Sequence, residues 1–189
     1  TRGTPQFNSE YHIDMYRCAR KLMIKVINML SEIADVHVMV IPGNHDRESV
    51  MHLGDTLELY YDNNKNVKVD NKDCLMKAIP YGNNLIISDH GDGPKVNDLP
   101  GIIAQRFKNL WSDTVYVEVH RGHYHTNKAT KFQAIEELNG ITVRNLSSMS
   151  ATDYWHDSKG FIGNIKKAQA FIYSRQNGLQ GILNYNVSV

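Results

Sequence analysis

Cysteine is scarce in this chain, and so is any surplus of charge. Its 189 residues hold two cysteines, 21 basic and 20 acidic residues, for a net charge of +1. Cys18 and Cys74 form no C-x-x-C pair and lie beside no ligand-spaced histidine, so neither a disulfide framework nor a thiolate metal site is indicated. Both read as free, buried thiols of a reducing compartment, Cys18 inside an apolar helix pattern and Cys74 at the start of an apolar strand. The near-zero net charge excludes a global field that would draw the chain to nucleic acid or to a membrane. No stretch approaches the roughly 18 apolar residues of a spanning helix, and no charged-then-apolar signal segment opens the sequence. The expectation is a cytoplasmic protein with no membrane partner. Internal repeats, low-complexity segments and linkers are absent too.

What is present suits a single compact domain over residues 1–189: hydrophobic residues make up 41% of the chain and charged residues 22%. Residues 1–8 read as a loop, with Asn8 or Ser9 able to cap a helix. From 11 to 34 the residues Tyr11, Met15, Cys18, Leu22, Val26, Met29, Leu30 and Ile33 recur at helical steps and predict one amphipathic helix. Residues 36–41 form a β-branched run ended by Pro42-Gly43, so helix, buried strand and glycine loop follow one another as in a parallel α/β unit. One or two short helices are expected over 48–61, and a small strand over 67–69 inside a polar stretch. Residues 75–79 and 85–88 flank a turn at 80–84 and predict a hairpin. A second helix is expected over 101–111 and a strand over 115–119. A second hairpin (130–135 and 141–146) is expected about Asn139-Gly140. Two strands, 165–174 and 179–187, close the chain.

Nine histidines stand out. Several fall in three loops, each directly after a predicted strand: Gly43-Asn44-His45-Asp46, Asp89-His90-Gly91-Asp92 and Gly122-His123-Tyr124-His125. Ligands of α/β sheets bind at strand ends, glycine lets the backbone turn beside a ligand, and imidazole with amide or carboxylate oxygen suits Mn, Zn or Fe. Any one loop has an ordinary explanation: Asp46 as a capping residue, His90 as a satisfied histidine. Their joint occurrence in this order points to metal.

In that order the loops resemble the calcineurin-like metallophosphoesterases, whose motifs run D-x-H, G-D-x-x-D, G-N-H-D/E, a lone His and G-H-x-H. The last three are here, and the resemblance spans residues 36–146. It implies an α/β fold, the α/β/β/α sandwich around two divalent ions. It implies Asn44, His90 and His123 as ligands of the second ion and His125 as a ligand of the first. His45 would be the catalytic histidine beside the scissile phosphate, and Asp46 the carboxylate that orients it. The departure is at the front. Ahead of Gly43 neither the D-x-H nor the G-D-x-x-D motif is identified; Asp14 and Asp35 lie inside or at the end of the helix, and Gly54-Asp55, more fitting as a helix start, comes too late. The expectation is therefore a truncated domain lacking its first β-α-β portion, which holds two ions when complete and one here, and is inactive alone. An uncovered sheet edge would favour a homodimer.

For substrate, the tail 147–156 is similar to phage and bacterial phosphoesterases of the DNA-repair exonuclease type. That implies a phosphodiesterase or nuclease with DNA as partner. Tyr154 and Trp155 could stack on bases or pack over the core. Arg47 and Arg121 could contact phosphate or be ordinary solvated arginines. The alternatives are a phosphomonoesterase acting on nucleotides or phosphoproteins, and a metal-binding module without catalysis.

Overall fold

The computed structural model describes residues 11–123, 135–149 and 165–187, and the chain divides into two compact units between Leu75 and Met76. The first unit runs α1 (His12–Ser31), β1 (Val36–Met39), α2 (Arg47–Tyr61) and β2 (Val67–Asp70). β1 and β2 pair in parallel, Val36 opposite Val67 and Met39 opposite Asp70. Ile27, Leu57, Tyr61 and Val67 form the core, with Met23, Ile24, Val36, Val38, Leu53 and Val69 packed on it. The buried side of α1 is therefore Met23, Ile24 and Ile27. The stripe expected to face inward is instead exposed at Leu22, Val26, Met29, Leu30 and Ile33. The helix is apolar on two sides, and periodicity does not say which side the sheet takes. Tyr61 ties α2 to α1, its hydroxyl donating to Asn28 Oδ1 at 2.8 Å and lying 3.1 Å from Ile24 O.

Two expectations for this unit change. α2 is one continuous helix, and Gly54-Asp55 sits in its middle, not at a helix start. Gly54 is small because Asn71 occupies the space a β-carbon would need. Asn71 Nδ2 donates there to Met51 O (3.0 Å) and to Asp55 Oδ1 (2.6 Å), pinning the end of β2 to the helix. Neither cysteine is in a disulfide, as expected, but Cys18 is exposed and Cys74 half-buried, because the Cys18 side of α1 is not the packed one.

The second unit is built on a five-stranded mixed sheet. Its strands are β3 (Met76–Tyr81), β4 (Asn84–Asp89), β5 (Tyr116–Arg121), β6 (Ile135–Leu138) and β7 (Ile141–Asn145), in the order β3-β4-β5-β7-β6. β4–β5 and β5–β7 are parallel; the edge pairs β3–β4 and β6–β7 are antiparallel hairpins. Both hairpin turns were legible. Asn139 and Gly140 take φ of 46° and 86°, the pair of positive values a two-residue I′ turn requires. β3 runs through Pro80, which an edge strand tolerates. Between β4 and β5 lie a 3-10 turn (Val96–Asp98), α3 (Leu99–Arg106) and α4 (Lys108–Ser112). The single helix expected over 101–111 breaks at Phe107, whose φ of −117° and ψ of 36° leave the helical region.

Alternation along the parallel strands sends Leu85, Ile87, Val117, Val119, Ile141 and Val143 to one face. There they bury with Leu99 and Ile103, against Phe107, Leu110 and Trp111; each such burial is worth about 1.5–3 kcal/mol. The other face is polar, and the antiparallel hairpin β8 (Lys167–Ser174) and β9 (Gly178–Asn186) is fastened to it. Asn84 Nδ2 donates to Ser174 O at 2.8 Å, and Asn83 N–H to Arg175 O at 2.7 Å.

Candidate functional site

In the first unit the Gly43-Asn44-His45-Asp46 loop leaves the C-terminal end of β1 and leads into α2. Pro42 and Gly43 are buried, while Asn44, His45 and Asp46 are exposed. Asp46 holds the N-cap position without capping the helix through its side chain. Its Oδ1 instead accepts the Gly43 N–H at 2.9 Å, closing the loop on itself. Arg47, next in line, pairs with Asp73 at 2.7 and 2.9 Å on the surface. Asp35-Val36-His37 does spell D-x-H, but it enters β1 rather than leaving it. It therefore lies at the wrong end of a parallel strand for a site at strand ends.

In the second unit, His90 directly follows β4 and His123 is two residues past β5, so parallel neighbours deliver both to the same end of the sheet. Their ring centroids are 5.1 Å apart with planes at 68°. The approach depends on glycine. A β-carbon on Gly91, which has φ +99°, would stand 2.8 Å from Gly122 O and 3.4 Å from His123 Cβ. His123 itself has φ 66°, a left-handed conformation that costs a non-glycine residue of order 1–3 kcal/mol and concentrates at functional sites. Two imidazoles on one ion, each with its nitrogen about 2.1 Å away, would have centroids roughly 5 Å apart at a near-tetrahedral angle. The observed centroid separation falls at that distance.

Below these loops the strand alternation changes character. Following β4, the core face reads Leu85, Ile87, then Asp89; following β5, Val117, Val119, then Arg121; following β7, Ile141, Val143, then Asn145. The strand register aligns Asp89 with Arg121 and Arg121 with Asn145. Two apolar rows thus end in a polar one, immediately under the histidine loops. Arg121 is fully buried. Its Nε and Nη2 meet Asp89 Oδ1 and Oδ2 at 2.8 and 2.9 Å, and Nη2 also donates to Pro94 O at 3.0 Å. Nη1 is buried without a partner among the described residues. Burial raises the Asp89 pKa, and the Arg121 hydrogen bonds and charge pull against it. Arg121 is thus neither solvated nor aimed outward at a phosphate. Sequence reading by motif passed over this pair; the break in alternation, shared by three strands, was the signal for it.

A second carboxylate network lies on the opposite face of the same sheet. Glu118 accepts from Arg144 Nε and Nη2 at 2.9 and 3.0 Å and from Tyr173 Oη at 2.8 Å, and its Oε2 lies 3.2 Å from His120 Nε2. Burial pushes its pKa up, but those bonds and the Arg144 charge outweigh it and hold the carboxyl at about 2. Tyr173 is shifted upward by burial and by Glu118. Phe171 packs on the His120 ring at 4.3 Å.

Among the described residues no group of three or more His, Cys, Asp or Glu is placed to hold an ion. His125, Tyr154, Trp155 and His156 lie outside the described residues. The described helices include none long and apolar enough to cross a membrane.

No curated protein and no solved structure matches the chain. The model of one family, the calcineurin-like phosphoesterases, matches residues 14–145, a span that takes in the Asn44, His90 and His123 loops. A match over more than half of the chain shows that this protein belongs to the calcineurin-like phosphoesterases, a family of metal-dependent phosphoester hydrolases.

Proposed function

We propose that the chain takes part in phosphodiester hydrolysis of the nuclease type. On this reading His90 and His123 are ligands of one divalent ion (Mn, Zn or Fe), His125 is a ligand of a second, and Asn44 is a metal-ligating amide on its own loop. The observation that carries the ligand assignment is the pair of rings at His90 and His123, placed at the spacing a shared ion needs. When bound, such ions supply Lewis-acid chemistry and neutralise phosphate charge. His45, exposed on its loop, would hold or donate the proton that the leaving oxygen takes. Asp46 would keep that loop closed through Gly43. Beyond His125, neither a D-x-H at the C-terminal end of a described strand nor a G-D-x-x-D is found, so we expect little turnover from this chain by itself. The edge of β1 away from β2, its pairing partner among the described residues, would be where a second copy adds to give a homodimer.

The test compares bis-p-nitrophenyl phosphate, p-nitrophenyl phosphate and a short single-stranded DNA, each with added Mn. Preference for the diester and cleavage of the DNA support the reading. Preference for the monoester moves the assignment to a phosphomonoesterase. Metal uptake with no turnover on any substrate, even under conditions that load both sites, leaves a binding module. His45→Ala should lower whatever turnover is present by about 10²–10⁴-fold while metal content is unchanged; loss of metal in that variant would show the role of His45 to be wrong.

A further inference from the structure

We propose that the buried Asp89–Arg121 pair is a positioning device that sets the spacing of the His90 and His123 rings for a divalent ion. The inference rests on the ligand reading of those two histidines.

Four observations carry it. First, the pair is where an apolar pair belongs. Two rows of Leu, Ile and Val precede it on the same face of β4, β5 and β7, and both of its side chains are buried, Arg121 completely. Burying such a pair brings little or no net stability: well-packed apolar residues of similar volume are commonly neutral or better. Second, the pair is not fully matched among the described residues. Arg121 Nη1 has no partner among the described residues, and an unmet buried donor costs about 1–3 kcal/mol. A network selected for stability would satisfy it, as the Glu118 network does for its carboxylate. Third, each member sits at a base of the loops in question: Asp89 is the residue before His90, and Arg121 is two before His123. Two parallel bonds from a planar guanidinium to one carboxylate fix both distance and orientation. They therefore lock the ends of β4 and β5 where the loops depart. Fourth, the loops have little freedom left: Gly91 and Gly122 interlock, and His123 is held at positive φ. A strained backbone of that kind persists only when its surroundings over-determine it. The third bond of Arg121, to Pro94 O, ties down the far end of the His90 loop as well.

Asp89 and Arg121 touch no substrate or ion on this reading; they act through the two histidines. Apolar replacements should therefore leave the fold and release the rings. The experiment uses the double variant Asp89→Leu/Arg121→Met, beside Arg121→Lys and a His123→Ala control. Three quantities are read: thermal unfolding, the NOE between the His90 and His123 rings in the metal-free protein, and Co²⁺ binding by visible spectrum and titration. The double variant should unfold within a few degrees of the parent, lose the ring-to-ring NOE, and bind Co²⁺ about 10–100-fold more weakly with an altered spectrum. Arg121→Lys, which keeps the charge but not the fork, should fall between the two. An unchanged NOE and unchanged affinity in a folded double variant would overturn the proposal. A marked loss of stability with the NOE intact would also overturn it, showing the pair to be merely structural. If the parent and His123→Ala both take up no ion, the ligand reading falls, and the purpose assigned to the pair falls with it. The NOE would still report separately whether the pair sets the rings.

Discussion

The sheet of the second unit carries two buried carboxylate–arginine pairs, one on each face, and they differ in what they leave unsatisfied. Glu118 accepts from Arg144 on β7 and Tyr173 on β8 and lies against His120 on β5, and in doing so fastens the β8–β9 hairpin to the sheet. Asp89 and Arg121 join β4 to β5 at the ends of the strands, leaving one guanidinium nitrogen unmet among the described residues. Similar chemistry thus does different work in the two places. Where a charge is surrounded by donors, burial is repaid and the network holds elements together. Where it is not, the gain lies in geometry, and strand-end residues are the ones that use it.

The comparison can be broken most sharply from the Glu118 side. Glu118→Ala leaves Arg144, Tyr173 and His120 facing a lost acceptor in a buried place. It should cost about 3–5 kcal/mol in denaturant unfolding while the folded fraction keeps the affinity of the parent for Co²⁺. A loss of metal affinity at unchanged stability would reverse the roles assigned to the two faces.

Acid should act on the same network. The Glu118 pKa in the folded chain, about 2, lies below the ordinary value near 4.3. Its contribution is therefore fully present above about pH 4.5 and is lost as the pH falls toward 2, an order of 3 kcal/mol in all. Unfolding free energies measured from pH 6 to pH 3 should show this acid limb in the parent and a flatter one in Glu118→Ala. Equal slopes in both proteins would mean that the carboxylate is not the group that titrates.

The smallest effect is expected at the surface. Asp73→Ala removes the partner of Arg47, both side chains being more than half exposed, and should change stability by less than about 1 kcal/mol. A larger loss would mean that this pair supports the Asn44 loop and is not an ordinary solvated contact.

Much of the scaffold was open to sequence reading because it rests on local rules. The Asn139-Gly140 turn needs two positive φ values. The run at 36–41 reads as a strand and is one over Val36–Met39, though half-buried rather than buried, and the three loops announce themselves by glycine and histidine at strand ends. What was missed rests on partners distant in sequence. The inward side of α1 depends on where the sheet lies, so two apolar sides could not be ranked. Gly54-Asp55 resembled a helix start until Asn71, on a different element, was seen to fill the space beside it. Arg121 looked like a free cation because Asp89, its partner, is 32 residues away.

By itself, then, the sequence determined the kind of chemistry and the elements that bear it. Residue type settles which side chains can bind a metal, and short-range backbone preference settles where strands stop and loops begin. The tertiary structure decided which of those side chains meet: His90 with His123, Asp89 with Arg121, Glu118 with Tyr173. Such pairings follow from strand order and register, and in a mixed sheet those are set by the packing of the whole unit, not by any one segment of it.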